Sequence, residues 1–435
     1  MSSPARGAPF EALLRELAPR VLADLTRRSG QFDLSEDAVQ EALLNAAVQW
    51  ASAGMPDNPH GWLLTVANRR LTDFIRADSA RRRRESTAEV DLVAPPADSE
   101  NPADQDDSLK LLILCCHPAL SAPSQIALTL RSVGGLTTAQ IAHAFLVPEA
   151  TMAQRISRAK KILNEAGARF RMPTPETFPE RLGAVLHVLY LIFNEGYTAT
   201  SGSELLRVDL SSEAIRLARA LHHVRPDDGE VAGLLSMMLL TDARRPARVD
   251  PSGTLVPLAA QDRARWDRDM IDEGTVLLTA ALTSSPLGPY QVQVAIVAVH
   301  AEAPETGSTD WAQILGLYAV LERIAPNPIV SLNRAVALAM VYGPDTGLRV
   351  LDGLEGDRQL TSQHRLHAVR GHLEEMAGDR AAACTSYLAA ARRTTSLPEK
   401  RYLERQAASL TDLAATPDGE ATTPAAVGPV PKAGV

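Results

Sequence analysis

The residues best suited to chemistry in this chain are cations. Gln154, Arg155, Ser157, Arg158 and Lys160 share a helix-like run with Met152, Ile156 and Ala159, which supply an apolar inner face and leave the polar groups outward. An arginine fork pairs bidentately with guanine or phosphate, and a glutamine amide matches adenine. A second cluster runs from Trp62 to Arg84, where seven arginines stand against Asp73 and Asp78, a local balance of +5. The following stretch, Glu85 to Asp107, holds eight acidic residues and no basic one. This switch is expected of a nucleic-acid surface followed by a solvated linker; an exposed basic helix end is the plainer alternative. The net charge of −8 is silent on partners.

No catalytic constellation accompanies these cations. There is no Gly-Lys pair, hence no Walker loop, and no GxSxG, HExxH or CxxC pattern. The chain reads as a non-enzyme without cofactor or metal. Cys115, Cys116 and His117 resemble metal ligands only in composition: adjacent helical residues point about 100° apart and cannot easily converge on one ion. With Leu111, Leu112, Ile113 and Leu114 beside them, they read as buried structural thiols. His222 with His223, and His364 with His367, lack an evident ligating partner and read as surface or core residues. Three cysteines, an odd and sparse count, suit a reducing cytoplasm. Met1 to Pro9 has no apolar signal core, and no apolar run reaches the length of a membrane span.

The elements that must position these groups are helical. The 435 residues are 45% hydrophobic but only 4% aromatic, so Leu, Ala and Val fill the cores, in roughly two to four domains. Leu13, Leu14, Leu17, Val21, Leu22 and Leu25 recur at helical spacing and stop at Gly30. Ser35, followed by Glu36 and Asp37, is expected to cap a second helix carrying Val39, Leu43, Leu44, Ala47 and Trp50. Gly54 to Gly61 is a loop. A third helix, from Trp62 to about Arg76, turns Leu63, Val66, Ala67, Leu71 and Ile75 to one face and Arg69, Arg70 and Arg76 elsewhere. Residues 86–107 form an acidic, Pro-containing flexible linker. A compact helical unit covers 108–169, and Pro173, Pro175 and Pro179 mark a second boundary.

Residues 178–415 read as helices again. Ser212 to Val224 and Gly229 to Leu240 alternate irregularly, and Gln291 to Val299 fits strand or helix. Ile329 to Leu354 overlays His364 to Ala389 with an offset of 35, matching Gly343 with Gly378 and Leu338 with Leu373. A helix–turn–helix period near 34 is the signature of TPR-type arrays, with a generic helical hairpin as the alternative. Residues 416–435, rich in Pro, Gly, Ala and Thr, are expected to be disordered.

Leu136 to Ala142 reads as a short capped helix, and Pro148 with Glu149 suits the first turn of the next, the layout in which one helix props a second in the major groove. Leu-Thr-Thr-Ala-Gln-Ile-Ala (136–142) and Thr-Met-Ala-Gln-Arg-Ile-Ser-Arg-Ala-Lys-Lys-Ile-Leu (151–163) resemble region 4 of extracytoplasmic-function RNA polymerase sigma factors. The stretch 35–44 resembles that family's clamp-gripping region 2 helix, and 62–73 its helix that melts and reads the −10 element. Leu146 stands where the family commonly has a turn glycine, and Pro148 where it has a capping Ser or Thr. The resemblance spans about residues 9–168; the remainder is similar to a subgroup with a long TPR-like extension.

What the resemblance implies is an all-α protein: sigma region 2 (9–85), linker (86–107), helix-turn-helix region 4 (108–169), TPR-like extension (178–415) and tail (416–435). The implied partners are core RNA polymerase, promoter DNA with −10 and −35 elements, and a regulatory protein on the extension. The implied DNA contacts are Asn68, Arg69, Arg70 and Arg76, then Thr151, Gln154, Arg155, Arg158 and Lys160. Asp37, Gln40, Glu41 and Leu44 are the implied polymerase contacts, and the Gly54–Gly61 loop would hold a flipped base beside His60, Phe74 and Trp62, the last either core or stacking platform. The competing reading is a helix-turn-helix activator with TPR-like sensor repeats that is not a polymerase subunit.

Overall fold

The computed structural model describes residues 8–85, 107–145, 147–303, 305–357, 360 and 363–412. Leu146, the expected tail and all of the expected linker but Asp107 lie outside them. The fold is all-α: among the described residues the only strands are two-residue pieces. The chain divides into two compact units, Met1–Leu189 and Tyr190–Val435.

The first unit opens with α1 (Ala8–Ser29), α2 (Phe32–Ala53) and α3 (Pro59–Glu85). Leu17, Val21, Leu22 and Leu25 of α1 are buried with Val39, Leu43 and Trp50 of α2 and Leu63, Ala67 and Leu71 of α3, the faces set by the 3.6-residue period. Gly30, at φ +67°, ends α1 and turns the chain directly into α2. The helix therefore begins at Phe32, and Ser35 is not its cap. Ser35 lies buried in the first turn, its hydroxyl 3.0 Å from that of Ser29.

Four helices follow: α4 (Asp107–Cys115), α5 (Ala122–Ser132), α6 (Thr138–Ala144) and α7 (Glu149–Glu165). Thr137 and Gln140 form a reciprocal capping box at α6. The Thr137 hydroxyl accepts from the Gln140 N–H (3.2 Å), and the Gln140 amide oxygen accepts from the Thr137 N–H (2.9 Å). Cys115 and Cys116 are buried, and burial pushes the Cys116 thiol up to about 12. In the first turn of α8 (Phe178–Tyr197), Arg181 donates to the Ile113 carbonyl of α4 at 2.8 Å.

In the second unit, α9 (Val208–Val224) and α10 (Gly229–Asp242) precede three 3-10 turns, and α11 (Arg268–Ser284), α12 (Pro289–Glu302) and α13 (Trp311–Ile324) follow. Gln291 to Val299 is helical, started by Pro289 in the first turn and buried on nearly every side, which is why its pattern shows no amphipathic period. Two hairpins come next: α14 (Pro328–Tyr342) with α15 (Pro344–Leu354), and α16 (His364–Met376) with α17 (Arg380–Ala391). The overlaid glycines both occupy left-handed turns, Gly343 at φ +91° and Gly378 at +83°. Ile329, Leu332, Leu351, Leu366 and Leu373 form one core across both hairpins. The closing helix α18 (Leu397–Asp412) packs on α17 through Tyr387, Tyr402 and Leu403. Ser201–Gly202 pairs in parallel with Thr395–Ser396, tying the start of this unit to its end.

Candidate functional site

Two polar faces stand out in the first unit. Along α3, Thr65, Asn68, Arg69, Thr72 and Arg76 fall at i, i+3, i+4, i+7 and i+11, and all five are exposed. Arg70 is exposed on a different face and pairs with Glu41 of α2 at 3.0 Å. Trp62 is half-buried, edge-on to Trp50 with ring centroids 5.5 Å apart. The expected Gly54–Gly61 loop is shorter than the sequence suggests, because α3 already begins at Pro59 and Asn58 stands before its first turn, where its side-chain oxygen accepts from the Gly61 N–H at 2.9 Å.

Along α7, Thr151, Gln154 and Arg158 are exposed and Arg155 is half-buried, on one stripe opposite the buried Met152, Ile156, Ala159 and Leu163. Lys160 does not belong to that stripe. Nine positions after Thr151, it lies about 180° around the helix. It is buried, and its ammonium meets Asp37 at 2.6 Å, Asp33 at 3.1 Å and Glu36 at 3.2 Å on α2. Burial depresses the Lys160 pKa, but the three carboxylates outweigh it and the net shift is upward. The outward reading of Lys160 is thus corrected. The exposed lysine is its neighbour Lys161, which the pattern reading passed over and which a 100° step beyond Lys160 would have found.

The α2 residues Asp33, Glu36, Asp37 and Gln40 form a clasp on α5 and α7. Glu36, 1% exposed, accepts from Arg131 Nε at 2.9 Å as well as from Lys160, and Gln40 donates to the Arg131 carbonyl at 3.3 Å. Of the four implied polymerase contacts, Gln40 is buried, Asp37 and Glu41 are half-buried and engaged, and Leu44 is 60% exposed. Val48, one turn further and 75% exposed, extends the apolar stripe beyond what the sequence reading named. Asp37, Gln40, Glu41, Leu44 and Phe74 line an open groove of about 490 Å³. Chemically, this unit offers two exposed hydrogen-bonding faces for a polyanion and an apolar-rimmed groove for a protein.

Residues 13–82 match the family described as Sigma-70 region 2, residues 110–163 that described as Sigma-70, region 4, and residues 181–282 a family of unknown function (DUF6596). An uncharacterized protein of Rhizobium meliloti (strain 1021) is 40% identical over 407 residues, 92% of this chain and 94% of its own length. The extracytoplasmic-function RNA polymerase sigma factor SigK of Mycobacterium sp. (strain KMS) is 32% identical over 156 residues, 34% of this chain and 77% of SigK. The probable sigma factor SigI of Mycobacterium tuberculosis (strain ATCC 25618 / H37Rv) is 31% identical over 154 residues, 33% of this chain and 51% of SigI. No described helix is long and apolar enough to cross a membrane.

Proposed function

The chain belongs to the extracytoplasmic-function RNA polymerase sigma factors, and we propose a division of labour among its surfaces in which α3 reads the −10 element, α7 reads the −35 element and α2 docks on polymerase. As a sigma factor it partners core RNA polymerase and promoter DNA and directs transcription initiation. The observation that carries the finer reading is the pair of outward polar stripes, exposed Asn68, Arg69 and Arg76 on α3 and exposed Thr151, Gln154 and Arg158 with half-buried Arg155 on α7. Arginines on such faces reach guanine edges or phosphates, and Asn68 and Gln154 supply amides for bases. Arg70, tied to Glu41, orients the α3 face against α2 and touches the backbone at its rim.

Polymerase docking uses Asp37, Glu41, Leu44 and the groove beside them, with Gln40 holding its floor. Because Asp37 also binds Lys160, docking competes with the clasp, and the two sigma regions separate on polymerase. The chain length between α3 and α4, residues 86–106, permits a separation of up to roughly 70 Å. The helical second unit modulates this step through its own partner, a regulatory protein in the simplest case, and the whole works in the cytoplasm without ATP hydrolysis. Pull-down of core enzyme and run-off transcription test the reading. Promoter-specific transcripts with wild-type protein, reduced by Arg155→Ala and Arg158→Ala without loss of core binding, are expected. Tight binding to free duplex with no core association overturns it in favour of an activator.

A further inference from the structure

The second unit holds a partly open cavity of about 130 Å³, on the scale of an engineered cavity that takes up benzene. Its walls come from segments far apart in sequence: Arg244 and Arg248 after α10, Leu332 and Val336 on α14, Arg365 on α16 and Glu399 on α18. Three guanidinium groups thus share one small space with a single carboxylate. That carboxylate, Glu399, faces Arg365 and favours its charge, and it also lies 3.3 Å from His364 Nε2 and accepts from the Thr394 hydroxyl at 3.0 Å.

Arg244 and Arg248 are incompletely satisfied. Arg244 is 5% exposed, and its Nε and Nη2 are buried without a hydrogen-bond partner. Arg248, 4% exposed, donates through Nη2 to the Thr198 hydroxyl at 2.5 Å and lies 3.9 Å over the Tyr197 ring, yet its Nε is also unpartnered. His372 Nε2, on the same wall, has no partner either. Water satisfies a donor but does not neutralise it, and a buried arginine does not give up its proton. A fold that keeps excess positive charge in a partly apolar cavity is destabilised by it unless an anion arrives.

We propose that this cavity binds a small organic anion of roughly six to nine non-hydrogen atoms, its carboxylate or phosphate held by Arg244, Arg248 and Arg365 and its apolar part lying on Leu332 and Val336. The second unit is then a ligand-binding module carried on a sigma factor. The assignment does not depend on which surfaces contact polymerase or promoter. Carboxylate and phosphate share the fork-to-oxyanion chemistry, and the test separates them.

Purified full-length protein is titrated by calorimetry with inorganic phosphate, succinate and benzoate, and with succinamide and benzamide as neutral counterparts. Saturable binding of at least one anion is expected, with none by the amides. Phosphate alone identifies a phosphoryl ligand; succinate or benzoate identifies a carboxylate. Arg244→Met and Arg365→Met each weaken that binding about tenfold or more. Arg244→Met also raises the melting temperature of the ligand-free protein, because it removes an uncompensated buried charge; a merely structural arginine would lower it. Absence of saturable binding by all three anions up to about 10 mM overturns the proposal. So does binding unchanged in both variants, or a lowered melting temperature with binding intact.

Discussion

Both units of this chain bury cationic side chains, and they do so in opposite ways. In the first, Lys160 and Arg131 enter the interior against the carboxylates of Glu36, Asp37 and Asp33 at 2.6–3.2 Å. In the second, Arg244 and Arg248 lie buried on the wall of a cavity whose one acid, Glu399, faces Arg365. Buried charge with its counter-charge in place is a structural fastening, whose removal exposes the surviving partner to an apolar surrounding. Buried charge without it is a standing cost that only a ligand relieves. The contrast separates a clasp from a site although both are built of the same residue types.

Glu36 is the acid that both cations of the clasp share. Glu36→Ala leaves Arg131 without its buried partner and Lys160 with two half-exposed ones. It is expected to cost about 3–5 kcal/mol in urea unfolding of the full chain. A loss below about 1 kcal/mol would mean the clasp is as weak as a surface pair. Lys160 itself adds an alkaline limit. Its pKa is raised on folding, so its stabilisation is intact below the unfolded value near 10.4 and declines as pH rises above it.

On the second unit, acid does what alkali does on the first. Burial holds His372, 2% exposed, at about 4, against roughly 6.5 in the unfolded chain. The unfolded state therefore takes up the proton first, and stability falls as pH drops from about 6.5 towards 4, by about 3 kcal/mol for the full interval. Thermal unfolding at pH 7 and pH 4.5 checks this, with His372→Gln expected to flatten the acid slope. An identical slope in the variant would remove His372 from the account.

How much of this was legible in the sequence differs between the two units for a physical reason. Helix periodicity is a local signal, so the buried faces of α1, α3 and α7 and the paired turn glycines Gly343 and Gly378 follow directly from it. Thr137 with Gln140 announces its own capping box. The same geometry, at 100° per residue, places Lys160 opposite Thr151 and so in the interior, against the outward expectation. Ser35 was misread because Gly30 turns the chain so tightly that α2 starts earlier than its best capping residue. The cavity arginines were not legible at all. Arg244 and Arg248 sit in a polar loop segment that reads as solvated, and Arg365 lies more than a hundred residues on; only tertiary packing brings them together.

A third arrangement of cations faces outward, one half-buried and one exposed. Arg155 and Arg158 lie on the outward stripe of α7. Replacing either with Ala is expected to leave stability within about 0.5 kcal/mol, while costing promoter binding about 1–3 kcal/mol if it reads a base. Fluorescence anisotropy on promoter variants distinguishes the cases. A base reader loses preference at one position, and a phosphate contact weakens binding on every sequence.

The smallest effect is also the cleanest contrast, because it compares adjacent residues of one type. Lys161 is 76% exposed and makes only a loose approach to Glu165, 3.7 Å, one turn along α7. Lys160, its neighbour, is buried in the clasp. A lysine in water releases counterions when it meets a phosphate, so its contribution appears in the salt dependence of binding. Lys161→Ala should therefore lower the slope of log K against log salt by about one unit, cost under about 1 kcal/mol of affinity at moderate salt, and leave unfolding unchanged. Lys160→Ala should do the reverse, lowering stability while leaving the salt slope alone. If Lys160→Ala changed the slope and Lys161→Ala did not, the clasp would open on DNA and Lys160 would act as a phosphate contact in the bound state, which a salt titration of both variants on one promoter fragment decides.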